Sequence, residues 1–449
     1  MIKTRFAPSP TGRLHVGNIR IALINWLFAK KHGGHFLLRF DDTDTDRSEK
    51  AFEDGIVQDL LWLGLTFDDT AYQSRRFDRY EAIRQHLITS GRLYPCYETG
   101  EELAIKRKIL LSQGKPPLYD RAALSLTPDQ KSAFDAEGRQ PHWRFLLNHA
   151  PITWQDKGRG AVHFEGQHLS DPVLFRANGV PVYSLASVVD DIDFGISHVI
   201  RGEDHVVNTA SQIQLCEALG HPHPTYWHIP LLVDAKGGEL SKRLGSLSIA
   251  SLRDEGFESI AITALLSRLG SSLPIVPMET LNAVLGAFDD TAYSRATPRF
   301  DSDELRHLNA RILHKTPFDA VKDRLMALVG PDVDEAFWLA VRPNLVFLSD
   351  AVGWWTMARG AVTPLIAEDD RDFLNTAAAT LPPQPWDQNT WGTWTKGLSD
   401  TTGRKGKSLF LPLRRALTGQ ESGPDMPALL PLMTLHQVRD RLVGQKKYG

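Results

Sequence analysis

The chain has 449 residues, 42% of them hydrophobic and 23% charged, with a formal net charge of -3 at pH 7. That length allows about two to four domains with real cores, and two cysteines, Cys96 and Cys216, exclude a disulfide scaffold. No apolar run approaches a membrane span, and the N-terminal MIKTRFAPSP lacks a signal peptide's apolar core, so a cytoplasmic protein that does not enter the membrane is expected.

Thr4 to Ala7 alternates as a short strand does, and Pro8, Pro10 and Gly12 end it in a surface turn. After Gly17 the apolar positions Ile19, Ala22, Leu23, Trp26 and Leu27 recur at helical spacing, which puts His15-Val16-Gly17-Asn18 at the mouth of a helix. The free backbone N–H groups of a first helical turn, with His15 beside them, suit phosphate oxygens. Gly17 has no Cβ, so a base or ribose can approach the backbone there. Taken alone, His-x-Gly is also an ordinary turn before a helix. Arg5 ends a mostly apolar strand with a planar fork that matches a carboxylate, although a surface Arg paired with a neighbouring Asp would read the same way.

Strand and helix signals alternate as far as about Gln73, the rhythm of a parallel α/β layer. Between Arg76 and Ala186 this rhythm breaks: charged helical segments such as Glu101 to Leu111 give way to β-like stretches around Ile152 to Phe164, as in an insertion. The α/β pattern resumes with Ser187 to Arg201 and Trp227 to Val233, with Ile229 to Val233 reading as a buried strand. Gly237 to Arg243 then places Lys242 and Arg243 in a glycine-flanked loop. Two cations there can neutralise a triphosphate, although most basic pairs in loops are simply solvated.

Beyond Ser246 helical periodicity dominates, with one apolar face at Ala261, Leu265, Leu266 and Leu269 and another at Leu305, Leu308 and Ile312. The Pro-rich segment Leu381 to Trp386 marks a candidate hinge between two helical subdomains. Trp354, Trp355, Trp391 and Trp394 read as core, with stacking on RNA bases as the alternative. From Thr401 onward basic residues, including Arg404, Lys405, Lys407, Arg414, Arg415, Arg439 and Arg441, outnumber acidic ones. That fits either a face for RNA phosphates or a solvated helical surface.

The pair RFAPSPTGRLHVGN and ELSKR resembles the two signature sequences of class I aminoacyl-tRNA synthetases. Six further blocks resemble the bacterial-type glutamyl-tRNA synthetases: GGHFLLRFDDTD from Gly33, RRFDRY from Arg75, YSLASVVDD from Tyr183, HVIRGED from His198, FDSDELRHLN from Phe300 and KGKSLFLPLRRALTG from Lys405. The likeness covers essentially the whole length. It implies a multidomain α/β plus all-α protein, in which a Rossmann-type parallel-sheet core (1–75 and 187–245, the second part with the LSKR loop) is split by an α+β insert (76–186) that contacts the acceptor end of tRNA. A helical stem-contact domain (246–312) and two helical anticodon-binding subdomains (313–380 and 381–449) follow.

The implied reaction is ATP-dependent ligation of L-glutamate to tRNA through a glutamyl-adenylate, by a monomer and without a protein nucleophile or general base. By resemblance His15, Gly17, Lys242 and Arg243 are catalytic, and Pro8, His15, Gly17, Asn18, Ser241 and Lys242 bind ATP, which Mg²⁺ accompanies. Arg5 holds the side-chain carboxylate of glutamate, Ala7 and Ser9 line its pocket, Asp41 supplies an acidic contact, and Tyr183 and Arg201 complete the pocket, Arg201 toward the amino acid's backbone end. Lys405, Lys407 and Arg414 are candidate tRNA contacts.

The sequence also departs from the pattern. Asp41 stands where the family usually has Glu, and that block with Arg5-Phe6 also resembles glutaminyl-tRNA synthetases. Ala7-Pro8-Ser9-Pro10 follows the glutamyl pattern, and the C-terminal third reads as helical rather than as their β-barrels. Glu239 sits where many relatives have a basic residue, and Ser187 where they have Asn or Val. Cys96-Tyr97-Glu98 lacks the second cysteine of zinc-binding relatives, and His221, His223 and His228 read as structural, so neither zinc nor another protein-held metal is expected. Three alternatives stay open: charging of tRNA for glutamine as well, a truncated paralogue that modifies a tRNA base, and a non-catalytic RNA-binding paralogue. Leu313 to Gly449, absent from the second, is present, and His15, Gly17 and Lys242, whose loss would mark the third, are kept.

Overall fold

The computed structural model describes residues 1–238, 240 and 247–444. The chain divides into two compact units, Met1–Asp254 with Ile262–Ile275 and Thr280–Asp301, and Glu255–Ala261 with Val276–Glu279 and Ser302–Gly449. The residues expected as a stem-contact domain are thus divided between the two. No helix among the described residues is long and apolar enough to cross a membrane.

The first unit begins β1 (Lys3–Phe6), α1 (Val16–Lys31), β2 (His35–Phe40), α2 (Lys50–Trp62), β3 (Asp69–Tyr72). Its strands form a parallel sheet in the order β1, β2, β3. There follow α3 (Phe77–Thr89), β4 (Leu93–Cys96), α4 (Gly100–Ser112), α5 (Pro128–Ala136), β5 (His142–Phe145), β6 (Ile152–Asp156), β7 (Gly160–Phe164) and β8 (Val173–Phe175). Then come α6 (Tyr183–Asp193), β9 (His198–Gly202), α7 (Val206–Ala218), β10 (Thr225–Ile229), β11 (Val233–Asp234), α8 (Ile249–Glu255), α9 (Ser259–Arg268), α10 (Leu281–Gly286) and β12 (Arg299–Phe300).

Strands β4, β5 and β8 make a small antiparallel sheet of their own. The hairpin β6–β7 does not join it. It adds to the parallel pair β9–β10, in the order β7, β6, β10, β9, with Asp156 opposite Tyr226. The reason is the alternation in β6: Ile152 and Trp154 are buried on one face, in a cluster with Val199, Ala210 and Tyr226. The stretch expected inside the insert therefore extends the core.

β9 starts beside β1, where Ser197 N–H donates to the Lys3 carbonyl at 3.0 Å and Lys3 N–H to Ser197 Oγ at 2.8 Å. Across this seam the strands run β3, β2, β1, β9, β10. The order turns back between β1 and β9, and in such sheets ligands bind at the carboxyl ends of the strands on either side of that reversal. One local expectation differs: the run Ile229 to Val233 is broken after Ile229, because Pro230 has no N–H to continue the ladder. Tyr183 is the first residue of α6.

Helix α1 is buried on most sides, and its Arg20 is 1% exposed. The guanidinium donates to the Pro230 carbonyl at 2.7 Å and twice to the Leu269 carbonyl, at 3.2 and 3.1 Å. Burial lowers its pKa to about 10. Gly270 has φ +81°, and a Cβ there would stand 2.6 Å from Arg20 Nη2, so glycine is required at this clasp.

The second unit is helical in its described elements: α11 (Ser302–Leu313), α12 (Phe318–Val329), α13 (Glu335–Val341), α14 (Ala351–Arg359), α15 (Arg371–Ala379), α16 (Thr390–Thr402), α17 (Lys407–Thr418), α18 (Met426–Leu429) and α19 (Leu435–Leu442). One apolar cluster runs from Leu313 to Leu442. Trp391 and Trp394 lie inside it, and Trp354 and Trp355 pack against it half-buried. The segment expected as a hinge is part of that packing: Trp386 is buried and its indole N–H donates to the Pro382 carbonyl at 2.9 Å.

Candidate active site

The two strands that flank the reversal and the neighbour of β1 each carry a buried arginine: Arg5 on β1, Arg201 on β9 and Arg39 on β2, at 4%, 5% and 0% exposure. A buried guanidinium is tolerable only with charged or polar acceptors, and α6 supplies Asp190 and Asp191. Asp191 Oδ1 accepts from Arg39 Nη1 at 2.7 Å and from Arg5 Nε at 3.1 Å. Arg39 also forks onto Asp41, at 2.7 and 3.2 Å, and donates to Ser187 Oγ at 3.1 Å. Asp190 lies 3.8 Å from Arg39 Nε and accepts from Gln73, Arg76 and Tyr80 as well. Burial would lower the Arg39 pKa, but Asp41 and Asp191 hold it well above the usual range. Burial pushes the Asp41 carboxyl up to about 6 against the pull of Arg39.

This lock decides how Arg5 is presented. Two of its five N–H groups face Asp191, the second at 3.5 Å, and no described residue takes the other three. Arg201 is held more fully: Nε donates to His228 Nε2 at 3.2 Å, Nη2 to Thr209 Oγ1 and Gln212 Oε1 at 2.7 Å each, and Nη1 to the Tyr183 hydroxyl at 3.3 Å.

The turn between β1 and α1 reads in the structure as its residues suggest. His15 is the N-cap of α1: its Nδ1 accepts the Gly17 N–H at 3.1 Å while Asn18 Oδ1 accepts the His15 N–H at 3.2 Å, a reciprocal box. A Cβ on Gly17 would meet His15 Cε1 at 2.8 Å and displace the ring. Ala7 and Pro8 are half-buried, Ser9 is exposed, and Asp41 N–H donates to the Pro8 carbonyl at 3.0 Å, so the loop is tied to the Arg39 lock. On either side of His15, Val16 N–H donates to the Leu247 carbonyl and Ile249 N–H to the Leu14 carbonyl. Glu239, Ser241, Lys242 and Arg243 lie outside the described residues.

Burial lowers the His15 pKa below 6.5, keeping the imidazole neutral and Nδ1 free to accept. The unfolded chain then takes up the proton first, so this cap's stabilisation is full above pH 6.5 and is lost as the pH falls through the folded value. The ring-proton NMR titration of His15 is expected to have its midpoint below 6.5; a midpoint at or above that value would contradict the buried cap.

Elsewhere the candidate residues divide. Lys405 and Lys407 are exposed at the start of α17, whereas Arg414 is half-buried and donates to the Pro424 carbonyl at 3.0 Å. Arg404 pairs with Asp370, Arg415 with Glu421, and Arg441 is buried against the Met357 and Leu417 carbonyls, so these three arginines are engaged inside their own unit. Glu98 accepts from the Tyr119 hydroxyl and from Lys106, at 2.9 and 3.2 Å, and burial raises the Cys96 thiol to about 11. Among the described residues no group of three His, Cys, Asp or Glu is placed to hold a metal ion.

The crevice therefore combines an arginine with free donors, a second arginine set by a hydrogen-bond network and a helix N-terminus capped by histidine. Residues 1–307 match the family of class I tRNA synthetases (E and Q), catalytic domain. The glutamate–tRNA ligase of Azospirillum brasilense is 54% identical over 446 residues, covering 98% of each chain. This chain belongs to the glutamate–tRNA ligase family. Glutamate–tRNA ligase 1 of Maricaulis maris is 52% identical over 99% of this chain and 100% of its own. A crystal structure of a glutamate tRNA ligase from Elizabethkingia meningosepticum in complex with its amino acid has a TM-score of 0.87 at 25% identity, covering 98% of both chains.

A second match, residues 356–444, is to an anticodon binding domain and lies within the helical unit. The synthetase thus has the class I catalytic domain, with a parallel-sheet core, joined to a helical anticodon domain, and the family implies use of ATP. Arg39, Asp190 and Asp191 carry the lock, and sequence reasoning gave them no role. Their signals were present: Arg39, near the end of an apolar strand, is followed two residues on by Asp41 just past the strand's end, and Asp190 and Asp191 directly follow the apolar pair Val188-Val189 in α6.

Proposed function

We propose that the chain ligates L-glutamate to tRNA(Glu) in two steps. The α-carboxylate of glutamate attacks the α-phosphate of ATP and pyrophosphate leaves; the terminal ribose hydroxyl of tRNA then attacks the mixed anhydride and releases AMP. Arg5 carries this reading, because a buried fork with three unclaimed donors at the strand reversal suits a side-chain carboxylate. Ala7 and Ser9 line the pocket, Asp41 adds the acidic contact, and Tyr183 and Arg201 face the backbone end of the amino acid. The His15 turn, with Pro8, Gly17 and Asn18, seats ATP, and Ser241, Lys242 and Arg243 complete that site.

No residue here needs to act as nucleophile or general base. Catalysis by positioning and by charge stabilisation accounts for the residues in the crevice. Mg²⁺ accompanies ATP, held mainly by phosphate oxygens and water. Glutamine fits the same shape but turns an amide toward Arg5, losing the charge-assisted bond. Exposed Lys405 and Lys407 in the anticodon unit are the remaining candidates for tRNA phosphates, more so than Arg414.

The test is ATP–pyrophosphate exchange with purified protein. Exchange that requires both glutamate and tRNA is expected, followed by transfer of glutamate to purified glutamate tRNA. Exchange with glutamine and none with glutamate would overturn the specificity, and transfer to purified glutamine tRNA would show a broader tRNA range.

A further inference from the structure

His228 is buried behind Arg201, and no role in the reaction has been given to it or to its partner Asp156. Asp156 stands at the end of β6, the hairpin that extends the core sheet. Its Oδ1 accepts the backbone N–H groups of Gly158, Arg159 and His228 at 3.0, 3.1 and 3.2 Å, and its Oδ2 meets His228 Nδ1. Gly158 permits this, since a Cβ there would lie 2.5 Å from the His228 carbonyl. A carboxylate that already accepts three N–H groups is an acceptor, so the Nδ1 of His228 carries the proton and Nε2 presents its lone pair. Arg201 Nε donates to that lone pair at 3.2 Å.

We propose that Asp156 and His228 are positioning residues for the amino-acid site: the carboxylate fixes the imidazole tautomer, and the imidazole in turn fixes the plane of the Arg201 guanidinium. Thr209, Gln212 and Tyr183 take three more of the Arg201 N–H groups, leaving one Nη1 hydrogen that no described residue claims. This inference rests on the proposed role of Arg201 at the backbone end of glutamate.

The groups facing His228 are Asp156 and Arg159 from the β6–β7 turn, Arg201 from β9, Thr209 from α7, the stacked Tyr226 ring of its own strand, and His205 ahead of α7. Burial lowers the His228 pKa, so the ring is neutral at pH 7, and protonation on acidification would turn Nε2 into a donor aimed at Arg201.

The experiment is tRNA-dependent exchange by the full chain, with KM for glutamate, KM for ATP and kcat measured separately. His228→Leu and Asp156→Asn are expected to raise KM for glutamate by about tenfold or more and to leave KM for ATP and kcat within about threefold. His228→Gln, which keeps an acceptor, recovers most of the loss. In the wild-type chain KM for glutamate rises as the pH falls below 6.5, and the rise is smaller in His228→Gln, which has no ring to protonate but keeps Asp41, whose pKa of about 6 lies in the same window. If wild-type exchange works but KM for glutamate neither rises on acidification nor changes in the folded variants, the positioning role is overturned. Equal rises in both KM values, with Gln no better than Leu, overturn it as well. Absence of wild-type exchange would instead overturn the functional reading on which it rests.

Discussion

Replacing Arg5 with alanine lowers kcat/KM for glutamate by about 10² to 10⁴, which corresponds to roughly 3–5 kcal/mol for removing one partner of a buried charge pair. The loss falls on amino-acid binding and activation, and KM for ATP stays near its wild-type value because the His15 turn has its own hydrogen bonds. Damage to the fold is limited, since Asp191 keeps its 2.7 Å bond to Arg39 when Arg5 is gone. Arg5→Lys rescues little, because an ammonium cannot face Asp191 and a substrate carboxylate with one planar fork. Steady-state exchange kinetics with urea denaturation on the same samples decide it: a loss below tenfold in a folded variant would remove Arg5 from the site.

Arg39→Leu has a different target. Arg39 is the fully buried cation among Asp41, Asp190 and Asp191, and its removal leaves three carboxylates facing an apolar side chain. The expected loss in unfolding free energy at pH 8 is about 3–5 kcal/mol. The pH dependence gives a second check. Asp41 already has its pKa raised from 3.8 to about 6 with Arg39 present, so the folded chain binds this proton more tightly than the unfolded chain. Stability tied to Asp41 therefore increases as the pH falls through about 6, and the increase is larger once the compensating cation is absent. Urea midpoints of the variant relative to wild type at pH 8 and pH 5 measure it: the deficit shrinks at pH 5, and an equal deficit at both would exclude uncompensated carboxylates as its cause.

The N-terminal crevice was legible because its signals are local. Proline and glycine end β1, helical spacing starts α1, and His15 and Asn18 are three residues apart, so the cap can be read from ten consecutive positions. The same holds for the helical character of the C-terminal unit and for the tryptophans of α16, whose spacing at 391 and 394 fits one buried helix face. Resemblance of motifs supplied the family, which the matches over the full chain bear out.

What no window of sequence could supply is the partner of each charge. Arg5 and Arg39 meet Asp191 across 186 and 152 residues, and Asp156 meets His228 across 72. Burial removes the surface reading of Arg5, whose side chain is inside and pinned along one edge by Asp191. The hairpin from Ile152 to Phe164 likewise showed its alternation in the sequence but not which sheet it would complete. Sequence by itself determined the elements, because their periods and turns repeat over a few residues. Tertiary structure alone decided the ionic lock and the tautomer behind Arg201, because a buried charge is stabilised only by the acceptors that folding brings to it from distant strands and helices.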